Sequence, residues 1–302
     1  MEFNLDVIAD REQDIAIVTG ANTGLGFETV LGLVSKKITV IMACRNLDKA
    51  NIAKDKIMSL VPQAKIDVMV LDLSSFKSVR EFTAKFKDKY YKLDLLINNA
   101  GIMYGPYTKT EDDFESQFGT NHLGHFLLTN LLIDYMPNTS DSRIVALSSL
   151  AHKMGKINLN NLNAEKSYSP FKAYNQSKLA CLMFAEELNR RLKNDKKEIL
   201  SVAAHPGISL TDLFRNLPPL LDTLRQYTLN PFFTHPASEG VKPTLMAALE
   251  KNIAGGSYFG PQGFLEMSGK PGIAFKTKYS QRADIAQKLW DLSSKLTNFN
   301  AL

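Results

Sequence analysis

Tyr174 and Lys178, in the stretch AYNQSKLA, are the residues whose types and spacing point most directly to chemistry. Four positions apart on an amphipathic helix, they lie on one face, a turn from each other. A free tyrosine has a pKa of about 10 and is a poor base at neutral pH. A nearby ammonium stabilises the phenolate and lowers that value, so the pair can run acid–base chemistry.

A reaction also needs something to bind, and the stretch AIVTGANTGLGFE supplies it. The apolar run 15–19 predicts a short buried strand that passes into a helix over Gly20, Gly24 and Gly26. Glycine there admits positive φ and a close approach by a ligand, while the free N–H groups of the helix's first turn face an anion. The chain is organised around this phosphate cradle.

The next strand end selects the dinucleotide. A carboxylate about twenty residues after such a turn accepts the adenosine ribose of NAD, whereas a basic residue there suits a 2′-phosphate. Cys44 is followed by Arg45, with no carboxylate before Asp48. A guanidinium is a permanently charged fork suited to phosphate, which predicts NADP(H) over NAD(H). Lys178 then gains a second use, because its donors can reach the ribose of a nicotinamide nucleotide whose positive ring also favours the phenolate. Asp72 in LDLSS, beside Leu73, either meets the adenine amino group or caps the next helix. In NNAG, Asn98, Asn99, Ala100 and Gly101 let backbone approach the cofactor, and Asn98 could equally tie strands together.

Elements that position these residues follow one period, one strand and one helix. Apolar runs at 38–43, 66–71, 93–97, 143–147, 199–204 and 257–259 predict strands, and patterns over 48–60, 76–90, 112–136, 173–191 and 238–250 predict helices. Fully apolar strands in such alternation predict a doubly wound, mostly parallel α/β sheet with helices on both faces. Ligands bind at the carboxyl ends of its strands, where strand order reverses. The 302 residues are 44% hydrophobic, enough for a sizeable core, and no linker divides them. A net charge of +5 in mixed segments such as KNDKKE reads as a solvated surface, not a nucleic-acid site. Cys44 and Cys181 stand alone in apolar stretches, so no disulfide framework or metal site is expected. With no signal peptide or membrane span in the sequence, a soluble protein in a reduced, cytoplasmic compartment is expected.

TGANTGLG, NNAG, Asn121 in TNHLGHFLLT, Ser149 in IVALSSLAH, YNQSK and the Pro206, Gly207 turn of AAHPGISLT occur in the order and approximate spacing of the short-chain dehydrogenase/reductase family. The chain resembles that family over nearly its whole length. VIMACRN, KTEDDFESQFGTNHLGHFLLT and GGSYFGPQGFLEMSG are most similar to the branch containing retinol dehydrogenases, the WW-domain oxidoreductase and, more distantly, protochlorophyllide reductase. The resemblance implies a three-layer Rossmann fold forming one domain over 1–302. It also implies a role for each matching residue. Tyr174 exchanges a proton with the substrate oxygen, Lys178 holds the ribose and lowers the tyrosine's pKa, Ser149 hydrogen-bonds the substrate oxygen, and Asn121 anchors a proton-relay water. The cofactor then lies along Gly20, Asn22, Thr23, Gly24, Leu25, Gly26, Arg45, Asp72, Leu73, Asn99, Ala100 and Gly101, and against Tyr174 and Lys178. The turn Pro206, Gly207, Ile208 and Thr211 meets the nicotinamide carboxamide, Ile208 through its backbone and Thr211 through its side chain.

Two stretches depart from the shortest members of the family. Residues 156–172 form a polar, asparagine-rich insertion expected as a surface loop, and Lys36 and Lys37 stand where many members have glycine. Substrate choice is expected in the Leu-, Phe- and Pro-rich segment 213–235, as an apolar lid over a hydrophobic carbonyl or alcohol. The competing use of that segment is a membrane or partner contact, which Asp222, Arg225 and Gln226 disfavour. Helices 112–136 and 173–191 either pair across a homodimer or cover the sheet alone. His122 and His125 are assigned to helix packing, with no metal. The function expected is NADP(H)-dependent carbonyl reduction or the reverse alcohol oxidation; the alternative is a silent NADP(H)-binding regulator or scaffold.

Overall fold

The computed structural model describes residues 3–208 and 235–302. Eight strands form one sheet: β1 (Ile15–Thr19), β2 (Thr39–Cys44), β3 (Ile66–Val70), β4 (Leu95–Asn98), β5 (Arg143–Leu147), β6 (Leu200–Ala204), β7 (Tyr258–Pro261) and β8 (Pro271–Ile273). Their order is β3-β2-β1-β4-β5-β6-β7-β8, parallel throughout except that β8 runs antiparallel to β7. The chain starts in the middle with β1, winds outward to β3, and returns to β4 on the other side, so the strand order reverses between β1 and β4.

Helices α1 (Gly24–Val34), α2 (Leu47–Leu60), α3 (Phe76–Lys89), α4 (Ser116–Phe118), α5 (Gly124–Leu132), α6 (Pro170–Asn194), α7 (Ala237–Gly240), α8 (Lys242–Leu249) and α9 (Ala283–Leu296) flank the sheet. Alternate strand residues feed two separate cores. Ile15, Ile17, Leu96 and Ile144 pack against α3, α5 and α6, whereas Ala16, Val18, Ile97 and Val145 pack against α1, α2 and α8. Both faces are therefore dry over the central strands, which is why those strands read as unbroken apolar runs, while the edge strand β3 is only half-buried.

Caps set where the helices begin. Asn46, Ser75 and Ser169 accept first-turn amides of α2, α3 and α6, and Pro170 opens α6 with a φ already suited to a helix. Thr23, at the same position of α1, makes no side-chain cap bond. Lys37 takes φ 60° and bonds Asp10 and Glu12 at 2.9 and 2.8 Å, so its departure from glycine affects a turn.

Three features differ from the sequence expectation. The helix expected from residue 112 begins at Ser116, because Asp112 accepts the Phe76 amide at 2.8 Å, Asp113 is left-handed at φ 65°, and Glu115 caps Gln117 and Phe118. That helix is also interrupted by a π turn over Gly119–Leu123. Strand β8 and helix α9 lie beyond the last element the alternation predicts. Helix α9 packs on α6, stacking Trp290 on Phe184 at 5.7 Å, and α6 is buried over most of its length within the chain.

Candidate active site

The glycine turn leaves β1 at the switch point. Gly20 and Gly24 are left-handed at φ 62° and 53°. A Cβ on Gly26 would stand 2.2 Å from the Gly20 carbonyl oxygen and 2.9 Å from Ala21 Cα. Leu25 and Asn22 are half-buried and Thr23 is exposed above them. The uncapped N–H groups of α1 and the missing side chains make a cradle that fits a dinucleotide's phosphates.

The NNAG loop braces this turn. Asn99 donates from Nδ2 to Thr19 O at 2.7 Å, and the Asn99 and Ala100 amides both donate to Thr19 Oγ1 at 2.9 Å. Asn98 donates to Thr129 Oγ1 on α5 at 2.9 Å, so it ties its strand to a helix, where the structural alternative was a tie between strands. Gly101 faces α6: a Cβ there would lie 3.2 Å from Lys178 Nζ and 3.3 Å from Asn121 Oδ1.

Arg45 is exposed at the carboxyl end of β2, with no carboxylate paired to it among the described residues. It stands beside the cradle, because Gly20 donates its amide to Ala43 O at 2.9 Å and the Cys44 thiol accepts from Ala21 and Asn22. Burial pushes that thiol up to about 11, which leaves it unreactive at neutral pH. Asp72 accepts the Ser74 amide and hydroxyl through Oδ1 at 2.9 and 2.6 Å, while Ser75 caps α3. Leu73 is buried beside it.

Across the cleft, α6 presents Tyr174 and Lys178, only 3% and 4% exposed. Lys178 donates to Leu147 O at 3.0 Å and sits 6.0 Å from the centre of the Tyr174 ring. Burial lowers the lysine's pKa and raises the tyrosine's, and a hydrogen bond from Ser149 partly offsets the rise at Tyr174. The lowering expected from the sequence draws on a bound nicotinamide as well as on Lys178, and in the protein alone burial prevails. Tyr174 therefore stands as a neutral phenol that holds a proton at Oη. Ser149 caps the 3-10 turn Leu150–Met154, and Ser148 points inward, donating to Lys178 O at 2.8 Å.

Asn121 lies in the π turn, which aims its amide at the loop after β4. It accepts the Ile102 amide at 2.8 Å and donates to Ile102 O and Ser177 Oγ at 3.0 and 2.9 Å. Its carbonyl accepts from Cys181 Sγ at 3.2 Å and His125 Nδ1 at 3.0 Å. That assigns the proton of His125 to Nδ1, so Thr19 donates to Nε2 at 2.9 Å. His125 thus ties the cradle to Asn121 and does more than pack a helix. His122 does pack, among Phe118, Phe126 and Phe184, with Nε2 2.8 Å from Ser293 Oγ.

Sequence spacing missed the floor of the cleft. Gln117, fully buried, accepts the Tyr104 amide and donates to Tyr168 Oη and Pro170 O, docking the loop after β4 onto the start of α6. Tyr104, left-handed at φ 58°, sets its ring edge-on to Tyr174 at 5.0 Å and 4.4 Å from Phe171. The only sequence signal was a glutamine near the start of the helix pattern 112–136. The insertion 156–172 is docked in part, with Ile157 and Leu162 buried.

The turn at the end of β6 brings Pro206, Gly207 and Ile208 to the same cleft, half-buried. Both backbone groups of Ile208 are engaged within the protein: its amide donates to Met267 O at 2.7 Å and its carbonyl accepts from the His235 amide at 3.2 Å. Thr211 and the lid segment up to residue 234 lie outside the described residues. Among the described residues, no cluster of His, Cys, Asp and Glu could hold a metal, and no helix is long and apolar enough to cross a membrane.

The chain is similar to known proteins over most of its length. Human (Homo sapiens) retinol dehydrogenase 13 is 39% identical over 94% of this chain and 85% of its own. The chloroplastic short-chain dehydrogenase TIC 32 B of Brassica napus is 38% identical over 96% of this chain and 90% of its own. The crystal structure of an uncharacterised protein from Mycobacterium Paratuberculosis superposes with a TM-score of 0.83 at 37% identity, covering both chains in full. The model of the short chain dehydrogenases matches residues 14–220, spanning the cradle, Asn121, Ser149, Tyr174 and Lys178. The chain belongs to the short chain dehydrogenase family of oxidoreductases.

Proposed function

We propose that this protein is an NADP(H)-dependent oxidoreductase acting on a hydrophobic carbonyl or the corresponding alcohol. The observation that carries the reading is the meeting of Ser149, Tyr174 and Lys178 at the edge of one cleft, opposite a cradle built for phosphates. The nicotinamide supplies hydride when bound. The chain's own share is binding, orientation and the proton. Tyr174 holds a proton ready for a carbonyl oxygen, and Ser149 offers a hydrogen bond to the same oxygen. Lys178, whose Nζ would lie 3.2 Å from a Cβ on Gly101, would hold the nicotinamide ribose. Arg45 supports NADP(H): it is exposed, and Asn46 beside it is spent capping α2. Tyr104 and Phe171 support an apolar substrate, since their rings wall the approach to Tyr174.

Incubating the protein with NADPH or NADH and a panel of aliphatic, aromatic and polyene aldehydes and ketones tests this by loss of reduced-cofactor absorbance. At least one apolar carbonyl should be reduced, faster with NADPH. NADPH binding without turnover of any member would favour a silent binder instead.

A further inference from the structure

Behind the cleft, residues 266 and 267 touch both of its working turns. Glu266 Oε2 accepts from Lys153 at 2.8 Å, and Lys153 lies in the 3-10 turn that Ser149 caps. Its other oxygen accepts the Phe275 amide at 2.5 Å. Met267 accepts the Ile208 amide through its carbonyl, and a Cβ on Gly207 would stand 2.2 Å from that same oxygen. The Pro206 to Ile208 turn is thus seated on Met267 with no slack.

A histidine completes the link. His205 is fully buried and its Nδ1 accepts the Gly207 amide at 3.2 Å, which leaves its proton on Nε2. That Nε2 has no hydrogen-bond partner among the described residues and faces Glu266 Oε2 at 3.7 Å. Tyr258 fills the space between His205 and His152, with ring centres 5.1 and 5.2 Å away, and its hydroxyl is 3.4 Å from Ser149 O. Leu265 and Glu266 are both left-handed, at φ 50° and 62°. Two adjacent non-glycine residues hold that conformation only where the surroundings impose it.

We propose that Glu266 is a positioning residue: through Lys153 on one side and His205 and Met267 on the other, it fixes the nicotinamide-side turn relative to Ser149. The proposal rests on the functional reading above, in which the nicotinamide lies against the Pro206 to Ile208 turn. A carboxylate that only tied a loop down would affect stability and leave the placement of the nicotinamide alone.

The test compares full-length wild type with Glu266→Gln, Glu266→Asp and Lys153→Met. Three quantities are read: the fluorescence of bound reduced nicotinamide, the affinity for a nucleotide lacking only the nicotinamide, and kcat and KM for a carbonyl the wild type reduces. Glu266→Gln should lose about half or more of the emission enhancement and lower kcat about tenfold, the scale expected of a small misplacement. Half-nucleotide affinity and carbonyl KM should stay within about twofold, because the cradle and the substrate wall are untouched. Glu266→Asp should fall between the two, and Lys153→Met should show a smaller loss because the His205 side remains.

Wild-type emission and kcat in Glu266→Gln would overturn the proposal, as would a parallel fall in half-nucleotide affinity. Should Glu266→Gln fail to fold, Lys153→Met decides on the same readouts. Failure of the functional reading is visible separately in the wild type itself, which would then leave nicotinamide emission unaltered or reduce no carbonyl of the panel.

Discussion

The glycine turn between β1 and α1 and the pocket from Ser149 to Glu266 border the same cleft, yet one is made by missing side chains and the other by buried polar ones. In the turn, Gly20 and Gly26 leave space that backbone and the Asn99 amide closely surround. In the pocket, Tyr174, Lys178, His152, His205 and Tyr258 are all nearly inaccessible to solvent; Tyr258 packs its ring against both histidines, and Lys178 sits over the Tyr174 ring. The first region is intolerant of an added atom, and the second of a lost polar group. The difference separates binding from chemistry, so changes in each should produce distinct failures.

The largest effect belongs to the polar pocket. Tyr174→Phe keeps the ring against Tyr104 and removes the hydroxyl proton. Its kcat should fall by about 10²–10⁴-fold, the usual contribution of a positioned acid, while NADPH affinity stays at the wild-type level. Initial rates and a fluorescence titration on the same preparation check both halves. Equal losses in rate and affinity would erase the distinction between the regions.

Acid should act through three buried histidines, of which His205 lies in the polar pocket, His125 between it and the cradle, and His122 in the helix core. Burial lowers His122 to about 3, His125 to about 4 and His205 to about 3. An unfolded histidine titrates at about 6.5, so the stability these three contribute is fully present above that value. It is lost as pH falls toward their folded values, because only the unfolded chain takes up the protons. At about pH 5.5 each costs about 1.4 kcal/mol and the three together about 4 kcal/mol. Urea unfolding at about pH 7.5 and 5.5 should show that drop, and His122→Asn should shrink it by about a third.

How much of this was legible follows the same division. A strand such as ITVIMA announces itself as an apolar run because both sheet faces are covered there, the half-buried edge strand IDVMVL keeps the same pattern, and the glycine cradle shows in one short stretch. Tyr174 and Lys178 are legible as a pair because a helix brings them together locally. The start of the long helix was not, since Asp112 is drawn off to the Phe76 amide, a partner 36 residues away. Helix α9 carries a readable stripe, Ala286, Leu289, Trp290 and Ser293, but it follows the irregular β7–β8 turn, where the strand–helix period ends. Glu266 was invisible for the strongest reason: it meets Lys153 across 113 residues, and a lone glutamate after Phe264 and Leu265 has no pattern to betray it.

In the cradle the informative change is an addition. Gly26→Ala puts a methyl against the Gly20 carbonyl and Ala21 Cα, both backbone and unable to rotate away. Overpacking of this kind costs about 1–3 kcal/mol, so the melting temperature should fall and NADPH bind more weakly. For whatever cofactor remains bound, kcat should change little, in contrast with Tyr174→Phe. Thermal melts with and without NADPH measure the first effect and single-turnover rates the second.

The smallest expected change tests the edge of the cradle alone. Arg45 is exposed and touches none of the polar pocket, so Arg45→Ala should leave stability and the NADH rate as they are. A guanidinium on a 2′-phosphate makes charge-assisted hydrogen bonds, and losing them at a solvent-exposed site should weaken NADPH about tenfold relative to NADH. Raising salt should shrink the wild-type preference in the same direction, because exposed charges are screened. A variant whose NADPH-to-NADH ratio stays at the wild-type value would place the 2′-phosphate elsewhere and remove Arg45 from the cradle, leaving the glycines and the α1 amides to hold the pyrophosphate without regard to which dinucleotide carries it.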